Sequence, residues 1–269
     1  MQIKEISQTL ESFAPAIYQE TYDNVGLIVG DPAWNCTGIL CALDATEEVI
    51  LEAKSTGCNL VVAHHPIIFT GLKQLNGKNY VEKTVITALK NDIAIFAIHT
   101  NLDNVIEGVN NTIASKLGLQ NRKLLLPKSV PFNSLNNDNQ CVGSGLVAEL
   151  PNAMEEISFL KMLQTTFNLQ VIRHTPLLGK SIQRVAVCGG AGGFLLKHAI
   201  ASQADIFITA DLKYHDFFDA EGRILVADIG HWESEQFTTA LLIEILQAKF
   251  PTFAVLKSVI KTNPVNYFL

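Results

Sequence analysis

The segment that most constrains the fold of this chain is a short apolar run that ends in two histidines and a proline. Residues 60–63 include two adjacent valines and predict a buried strand, which Pro66 stops because it has no backbone N–H to donate. His64 and His65 therefore stand at a strand exit. Neighbouring side chains on a strand point to opposite faces, so we expect two environments, as two metal ions would require. The alternative is that one imidazole packs in the core and the other donates to a carbonyl group.

The same kind of transition recurs along the chain. Further apolar runs predict buried strands at residues 39–43, 93–98, 185–188, 206–209 and 224–227. Strands that alternate with helices are typical of a parallel or mostly parallel sheet that is covered on both faces and binds ligands at the carboxyl ends of its strands. We expect an α/β fold with three α/β/α layers, in two pseudo-similar lobes that face each other across a metal-containing cleft.

Local signals predict the remaining elements. Apolar spacing and cap residues predict helices over about residues 3–13, 47–57, 80–90, 108–117, 154–167 and 231–246, and strands over 145–150 and 169–172. Asp44 and Glu47 have the spacing of a capping box at the start of the second of these helices.

The length of 269 residues suits one or two compact lobes. Residues 121–140 are polar and rich in turn formers, which predicts a hinge between lobes or a surface excursion. We expect an N-terminal lobe over residues 1–125, to which a C-terminal segment contributes, and a second lobe over residues 126–269. The alternative is a single compact unit.

Composition excludes several classes of protein. The net charge is -6 and no basic run occurs, which argues against nucleic-acid binding through an electrostatic face. The five cysteines include no C-x-x-C pair, and the N-terminus lacks the apolar run of a signal peptide, so we expect a cytoplasmic protein with reduced thiols. No apolar segment approaches the ~18 residues that span a bilayer, so we expect no membrane association.

A second group of metal-ligand types follows later strands. His231 and Glu235 are four residues apart at a predicted helix start, which places them on one helix face, although an exposed His beside a surface Glu is the plainer explanation of that spacing alone. Asp103 adds a carboxylate just beyond a strand. With His64 and His65, these residues offer three imidazoles and two carboxylates, a mixture that zinc, manganese or iron accepts. The economical interpretation is a dinuclear centre.

Several short sequence segments resemble those of a known family. They are Tyr-Asp-Asn-Val-Gly-Leu from residue 22, His-His-Pro from 64, His-Thr-Asn-Leu-Asp from 99, Thr-Ala-Asp-Leu-Lys-Tyr-His from 209 and Gly-His-Trp-Glu-Ser-Glu from 230. In this order they resemble the Nif-three-like (YbgI/YqfO) family, labelled GTP cyclohydrolase 1 type 2 homologues, over about residues 20 to 250. By that resemblance His64, His65, Asp103, His231 and Glu235 fall on the positions of the dinuclear metal ligands, with Glu235 as a bridge between the ions. The resemblance also implies a toroidal homohexamer whose metal sites face an inner cavity.

Other residues in the matching phrases are candidates for the substrate side. We assign catalytic roles to Glu235, Lys213 and His215, and substrate binding to Asn24, Lys213 and Glu233. The alternatives are a turn role for Asn24 and solvated helix surface for Lys213, His215 and Glu233. His99 could orient a ligand as a hydrogen-bond donor, and the glycines of residues 189–193 could bind an anion but fit a tight turn better.

These observations lead to two functional hypotheses. The first is a dinuclear metal-dependent hydrolase or cyclohydrolase-like enzyme that uses two divalent ions per chain, zinc, iron or manganese, on a small, nucleotide-like molecule. The second is a non-catalytic metal-binding scaffold, metallochaperone or regulatory interaction protein.

Overall fold

The computed structural model describes residues 1–129 and 142–268. Its helices and strands are, in chain order, α1 (Ile3–Phe13), β1 (Gly26–Val29), β2 (Ile39–Asp44), α2 (Glu47–Ser55), β3 (Leu60–His65), α3 (Tyr80–Lys90), β4 (Ala94–Ala97), α4 (Thr100–Asn104), α5 (Val109–Lys116), β5 (Gln120–Lys128), β6 (Val142–Glu155), α6 (Glu156–Phe167), β7 (Arg173–His174), β8 (Ser181–Ala191), α7 (Leu196–Ala201), β9 (Ile206–Ala210), β10 (Leu225–Asp228), α8 (His231–Glu235), α9 (Thr238–Lys249) and β11 (Val255–Lys257). Short 3₁₀ helices cover Ala16–Tyr18, Gly193–Leu195 and Tyr214–Ala220.

The chain divides into two compact units. The first unit contains Met1–Leu102 and Thr238–Pro264, and the second contains Asp103–Phe237 and Val265–Leu269. The division thus falls within α4, whereas the sequence led us to expect it after residue 125.

The first unit is built on a mostly parallel sheet in the order β1–β4–β3–β2–β11, in which only the β1–β4 pairing is antiparallel among the described strands. Alternate strand residues such as Leu40, Val61 and Ile95 share a core with α2 and α3. The residues between them, such as Val62, are also buried, and α9 contacts β2 and β3 while α1 packs against α9. This unit therefore has the three α/β/α layers that we expected.

The second unit has a mixed sheet in the order β5–β6–β8–β9–β10–β7. Strands β8, β9 and β10 run parallel, and the remaining pairings are antiparallel. Val147, Ala186 and Phe207 share a core with Leu196 and Ala199 of α7. Helices α5, α6 and α8 contact β8 on this sheet as well. An α/β fold with two sheets is thus confirmed, with a different strand order in each unit.

Four local predictions were wrong or incomplete. Residues 120–128 form a strand at the edge of the second sheet, where polar residues can face solvent. The loop that we expected over residues 121–140 therefore does not begin at residue 121. Residues 130–141 lie outside the described part. Residues 169–172 form no strand, because only Arg173–His174 pairs with β10. The helix expected over residues 231–246 is two helices, since α8 packs on β8 and α9 on β2. Thr46, not Asp44, caps α2, because it accepts from the Val49 N–H.

Among residues 1–129 and 142–268, no helix combines the length and the apolar character that a membrane-spanning segment needs.

Candidate metal centre

Strand β3 delivers His64 and His65 to its carboxyl end, where Pro66 stops the ladder as predicted. His64 is fully buried, and its Nδ1 donates to the Ile98 carbonyl oxygen at 2.8 Å. A carbonyl can only accept, so Nδ1 carries a proton, and in the neutral form of the ring Nε2 carries the lone pair that could ligate a metal.

His65 reaches in the other direction across the sheet. Its Nδ1 lies 2.7 Å from Oδ1 of Asp44, the residue beside it in register on β2. The second oxygen of Asp44 accepts from the Thr262 hydroxyl. Burial raises the pKa of Asp44, but the hydrogen bond and the charge of His65 outweigh burial, so its pKa lies below the ordinary value. The carboxylate therefore stays ionised and fixes the proton of His65 on Nδ1.

His99, which follows β4, completes a cluster of imidazoles in the first unit. Its ring centroid lies 5.2 Å from that of His64 and 5.3 Å from that of His65, and one nitrogen of each ring lies within 4.8 Å of the others. Its Nδ1 lies 2.8 Å from Asp23, which also accepts from the Thr100 N–H at 3.0 Å. Burial raises the pKa of Asp23, but the hydrogen bonds from the His99 ring and the Thr100 hydroxyl, together with the charge of His99, lower it to about 2.

In the second unit, His231 lies between two carboxylates. Its Nδ1 is 2.7 Å from Asp211 and its Nε2 is 3.2 Å from Glu235, one helical turn further along. Burial alone would lower the pKa of His231, but the hydrogen bonds and charges of Asp211 and Glu235 raise it to about 11. The imidazole and carboxylate of α8 thus converge, as the four-residue spacing predicted.

The backbone of Gly190 passes close to the Glu235 carboxylate, and the missing side chain leaves room for it. A Cβ atom on Gly190 would lie 2.4 Å from Oε1 of Glu235, and the Gly190 φ angle is 62°, in the left-handed region. The Gly190 N–H donates to the Ser234 hydroxyl at 2.9 Å, which joins this strand segment to α8. The glycines of residues 189–193 are therefore explained in part by close approach of the backbone to a carboxylate.

Asp103 belongs to the same part of the second unit. One of its carboxylate oxygens lies within 4.8 Å of one from Glu235. The Asn110 amide holds the segment, donating to the Asp103 carbonyl at 3.1 Å and accepting from the Gly189 N–H at 3.0 Å. Two carboxylates that approach this closely repel each other unless a cation or a proton lies near them.

The expected substrate-side residues lie in different settings. Asn24 donates its amide to the Ile68 carbonyl at 2.7 Å, which ties the turn before β1 to the loop after β3. Lys213 is exposed at the start of a 3₁₀ helix. His215 packs its ring against Tyr214 and Phe218.

Glu233 is the fourth of these residues. Its carboxylate would contact a Cβ atom on Gly230, so that glycine leaves room for it.

The donor chemistry of both sets fits divalent metals. His64, His65 and His231 each have Nδ1 held by a carbonyl or carboxylate oxygen, the arrangement that orients metal-ligating imidazoles. The candidate groups found among the described residues contain nitrogen and oxygen donors and no sulfur. Nearby Cys188 is no thiolate, because burial and the charges of Asp103 and Glu235 raise its pKa. Such donors suit zinc, iron or manganese.

Sequence reasoning missed the carboxylates that hold the imidazoles. The sequence indicates a helix cap at Asp44, and it gives Asp211 no role beyond its place in one of the family segments. One signal was present, since each stands at or just after the carboxyl end of a strand, as the histidines do. His99 was expected only to orient a ligand, and it lies within the imidazole cluster.

Comparison with known proteins assigns the family. The sequence model of Duf34/NIF3 (NGG1p interacting factor 3) matches residues 1–264. A Clostridium perfringens protein named GTP cyclohydrolase 1 type 2 homolog is 35% identical over 236 residues, 87% of each chain, and a Lactococcus lactis protein of the same name is 33% identical over 98% of each. The crystal structure of Staphylococcus aureus hypothetical protein SA1388 superposes with a TM-score of 0.90 and 29% identity, covering 100% of this chain and 99% of that one. The chain therefore belongs to the Duf34/NIF3 family.

Proposed function

We propose that this protein is a metal-dependent hydrolase in which His64, His65, Asp103, His231 and Glu235 bind two divalent ions, zinc, iron or manganese. The observation that carries the proposal is the shared state of the three histidines, whose Nδ1 atoms are all engaged by oxygen acceptors. His99 and His174 share this Nδ1 contact, so the neighbouring donors add the necessary weight: one nitrogen each of His64, His65 and His99 lie within 4.8 Å of one another, and His231 lies 3.2 Å from Glu235.

Bound divalent ions would lower the pKa of water toward ~7 and polarise a carbonyl, imine-like or phosphoryl group of a substrate. The chain supplies the orientation. Asp44 and Asp211 hold the rings of His65 and His231, and the Ile98 carbonyl holds that of His64. Glu235 would contribute negative charge and, as the family resemblance implies, would serve both ions.

We assign the substrate side to residues outside the ligand set. Lys213 supplies an exposed ammonium group for an anionic substrate group, and His215 moves a proton. Glu233 and Asn24 offer hydrogen bonds. The substrate class is a small, nucleotide-like molecule, in keeping with the name GTP cyclohydrolase 1 type 2 homolog that the relatives carry.

The test is turnover of an untargeted metabolite extract by the metal-loaded protein, followed by mass spectrometry. His64→Ala should abolish every turnover that the wild type shows, because it removes a ligand. His198→Ala, which changes a partly buried histidine of α7, should leave turnover intact. Equal turnover by wild type and His64→Ala would refute metal-dependent catalysis at this site.

The second candidate is a non-catalytic metal-binding scaffold, metallochaperone or regulatory interaction protein. It is favoured by the family description itself, which names an interacting factor. Full metal loading without any turnover that depends on His64 would select this candidate. In either role we expect a cytoplasmic homo-oligomer, a toroidal hexamer by the family resemblance.

A further inference from the structure

The second unit contains a cavity that shares no lining residue with the metal-ligand set. Its volume is about 610 Å³, and its lining includes Arg173, His174, Pro176, Tyr214, Phe217 and Phe218. Cavities of roughly 300–1,000 Å³ with apolar walls and a few polar groups are typical of small-molecule sites.

Aromatic rings form much of the wall. Tyr214 and Phe218 are 70% and 63% exposed, and their ring centroids lie 5.5 Å apart in an edge-to-face arrangement. Two large aromatic rings that are this exposed bury little apolar surface within the unit and so contribute little to its stability. A flat aromatic partner that stacks on the face of one ring and packs against the other would bury much of this exposed apolar surface.

Arg173 gives the cavity a fixed polar group. Its guanidinium donates to Asp228 at 3.0 Å and to the Leu212 carbonyl at 2.9 Å, and it lies over the Phe217 ring at 5.1 Å. The Arg173 side chain is nevertheless 51% exposed. A guanidinium restrained on one edge has N–H groups left to donate to a ligand at little entropic cost.

The charges at this cavity are already matched. Asp228 neutralises Arg173, and Glu221 pairs with Arg223 at 2.8 Å. The Nδ1 of His174 donates to the Thr175 carbonyl at 2.7 Å, so this nitrogen is already engaged within the chain. A charged ligand would be desolvated here without an unpaired counter-charge, which disfavours anions and cations alike.

We propose that this cavity binds a small, uncharged, planar heteroaromatic molecule whose carbonyl oxygen accepts from Arg173 while its ring stacks on Phe218 and meets the Tyr214 ring edge to face. Asp228, which holds Arg173, also accepts from the Leu212 N–H at 3.1 Å and the Gly230 N–H at 3.1 Å. The ligand would therefore rest on a side chain that is tied to the start of α8.

The probe is 2-quinolone, an uncharged planar lactam, titrated into the full-length protein by calorimetry and by ligand-observed NMR. We expect saturable binding with a millimolar or tighter Kd. Phe218→Ala should weaken it about tenfold because a stacking face is lost. The matched control is Phe194→Ala, which removes a ring that is 60% exposed and outside the cavity lining, and it should stay within about twofold of wild type. Quinoline-2-carboxylate, a charged analogue, should bind at least about tenfold more weakly than 2-quinolone.

Three results would overturn the proposal. They are the absence of saturable 2-quinolone binding, equal affinity in Phe218→Ala and wild type, and preference for the carboxylate. Light scattering adds a fourth, because loss of an oligomer in Phe218→Ala but not in Phe194→Ala would mean that a second copy of the chain covers these rings.

Discussion

The Nδ1 atom of His65 lies 2.7 Å from a carboxylate oxygen of Asp44, and the two residues are register partners on adjacent parallel strands. Parallel pairing brings the carboxyl ends of β2 and β3 to the same edge, so a carboxylate and an imidazole that end these strands must meet. The proton of His65 is thereby held on Nδ1, and Nε2 is the atom that would ligate a metal.

Asp44→Asn should lower the affinity for metal about 10–100-fold, because a neutral amide orients and polarises the imidazole of His65 less strongly. Competition with a fluorescent chelator measures this affinity. Asp31→Asn is the control, since the exposed Asp31 carboxylate accepts a local hydrogen bond from the Ala33 N–H and lies outside the candidate ligand groups. Unchanged metal affinity in Asp44→Asn would show that Asp44 does not support the metal site.

Gly190→Ala should reduce metal content. The new methyl group would lie 2.4 Å from Oε1 of Glu235 and must push that carboxylate aside. Gly179→Ala is matched in backbone strain, with φ of 69° against 62°, but its Cβ meets no atom within 4 Å. Both variants should lose about 1–2 kcal/mol of unfolding free energy, and only Gly190→Ala should lose metal by elemental analysis. Equal metal content in the two variants would show that metal binding does not depend on the close approach of Gly190 to Glu235.

Two buried thiols of the first unit, those of Cys36 and Cys41, should react slowly in the native protein. Burial raises the pKa of Cys36 to about 11 and raises that of Cys41 further. At pH 8 only about 0.1% of a thiol with the Cys36 pKa is thiolate, against roughly a quarter for an ordinary cysteine. In a Cys141→Ser background, iodoacetamide labelling followed by peptide mass spectrometry should be at least about 100-fold slower at both sites than in urea. Comparable native and unfolded rates would contradict their burial.

The oligomeric state is a separate prediction that rests on the family resemblance. Multi-angle light scattering at micromolar concentration should give six times the mass of one chain. A monomer with metal bound would end the hexamer proposal without affecting the ligand assignment.

Much of the fold could be predicted because its signals are local. The apolar run before Pro66 predicted the end of β3, and the helix at Tyr80–Lys90 was placed at its observed bounds. The predictions failed where tertiary contacts determine the partners of a residue. Asp44 has the spacing of a helix cap, yet His65 and Thr262, distant in sequence, engage its carboxylate.

In the candidate site, too, the contacts set by local sequence could be predicted and those set by tertiary structure could not. The spacing of His231 and Glu235 predicted that they converge, because an α-helix fixes the geometry of residues four apart. The partnership of His231 with Asp211 could not be predicted, since it depends on the order of strands β9 and β10 in the sheet. Sequence indicates which residues follow the strands, and the sheet determines which of them meet.

The most direct test of the central claim is the metal content of purified, metal-reconstituted variants, measured by elemental analysis. The account predicts two equivalents of divalent metal per chain in the wild type. Glu235→Ala should lower both because it removes the proposed bridge, whereas His65→Ala should keep appreciable metal at the other position. Two equivalents retained in Glu235→Ala would contradict the bridging role, and a reconstituted wild type that binds no metal would contradict the account as a whole.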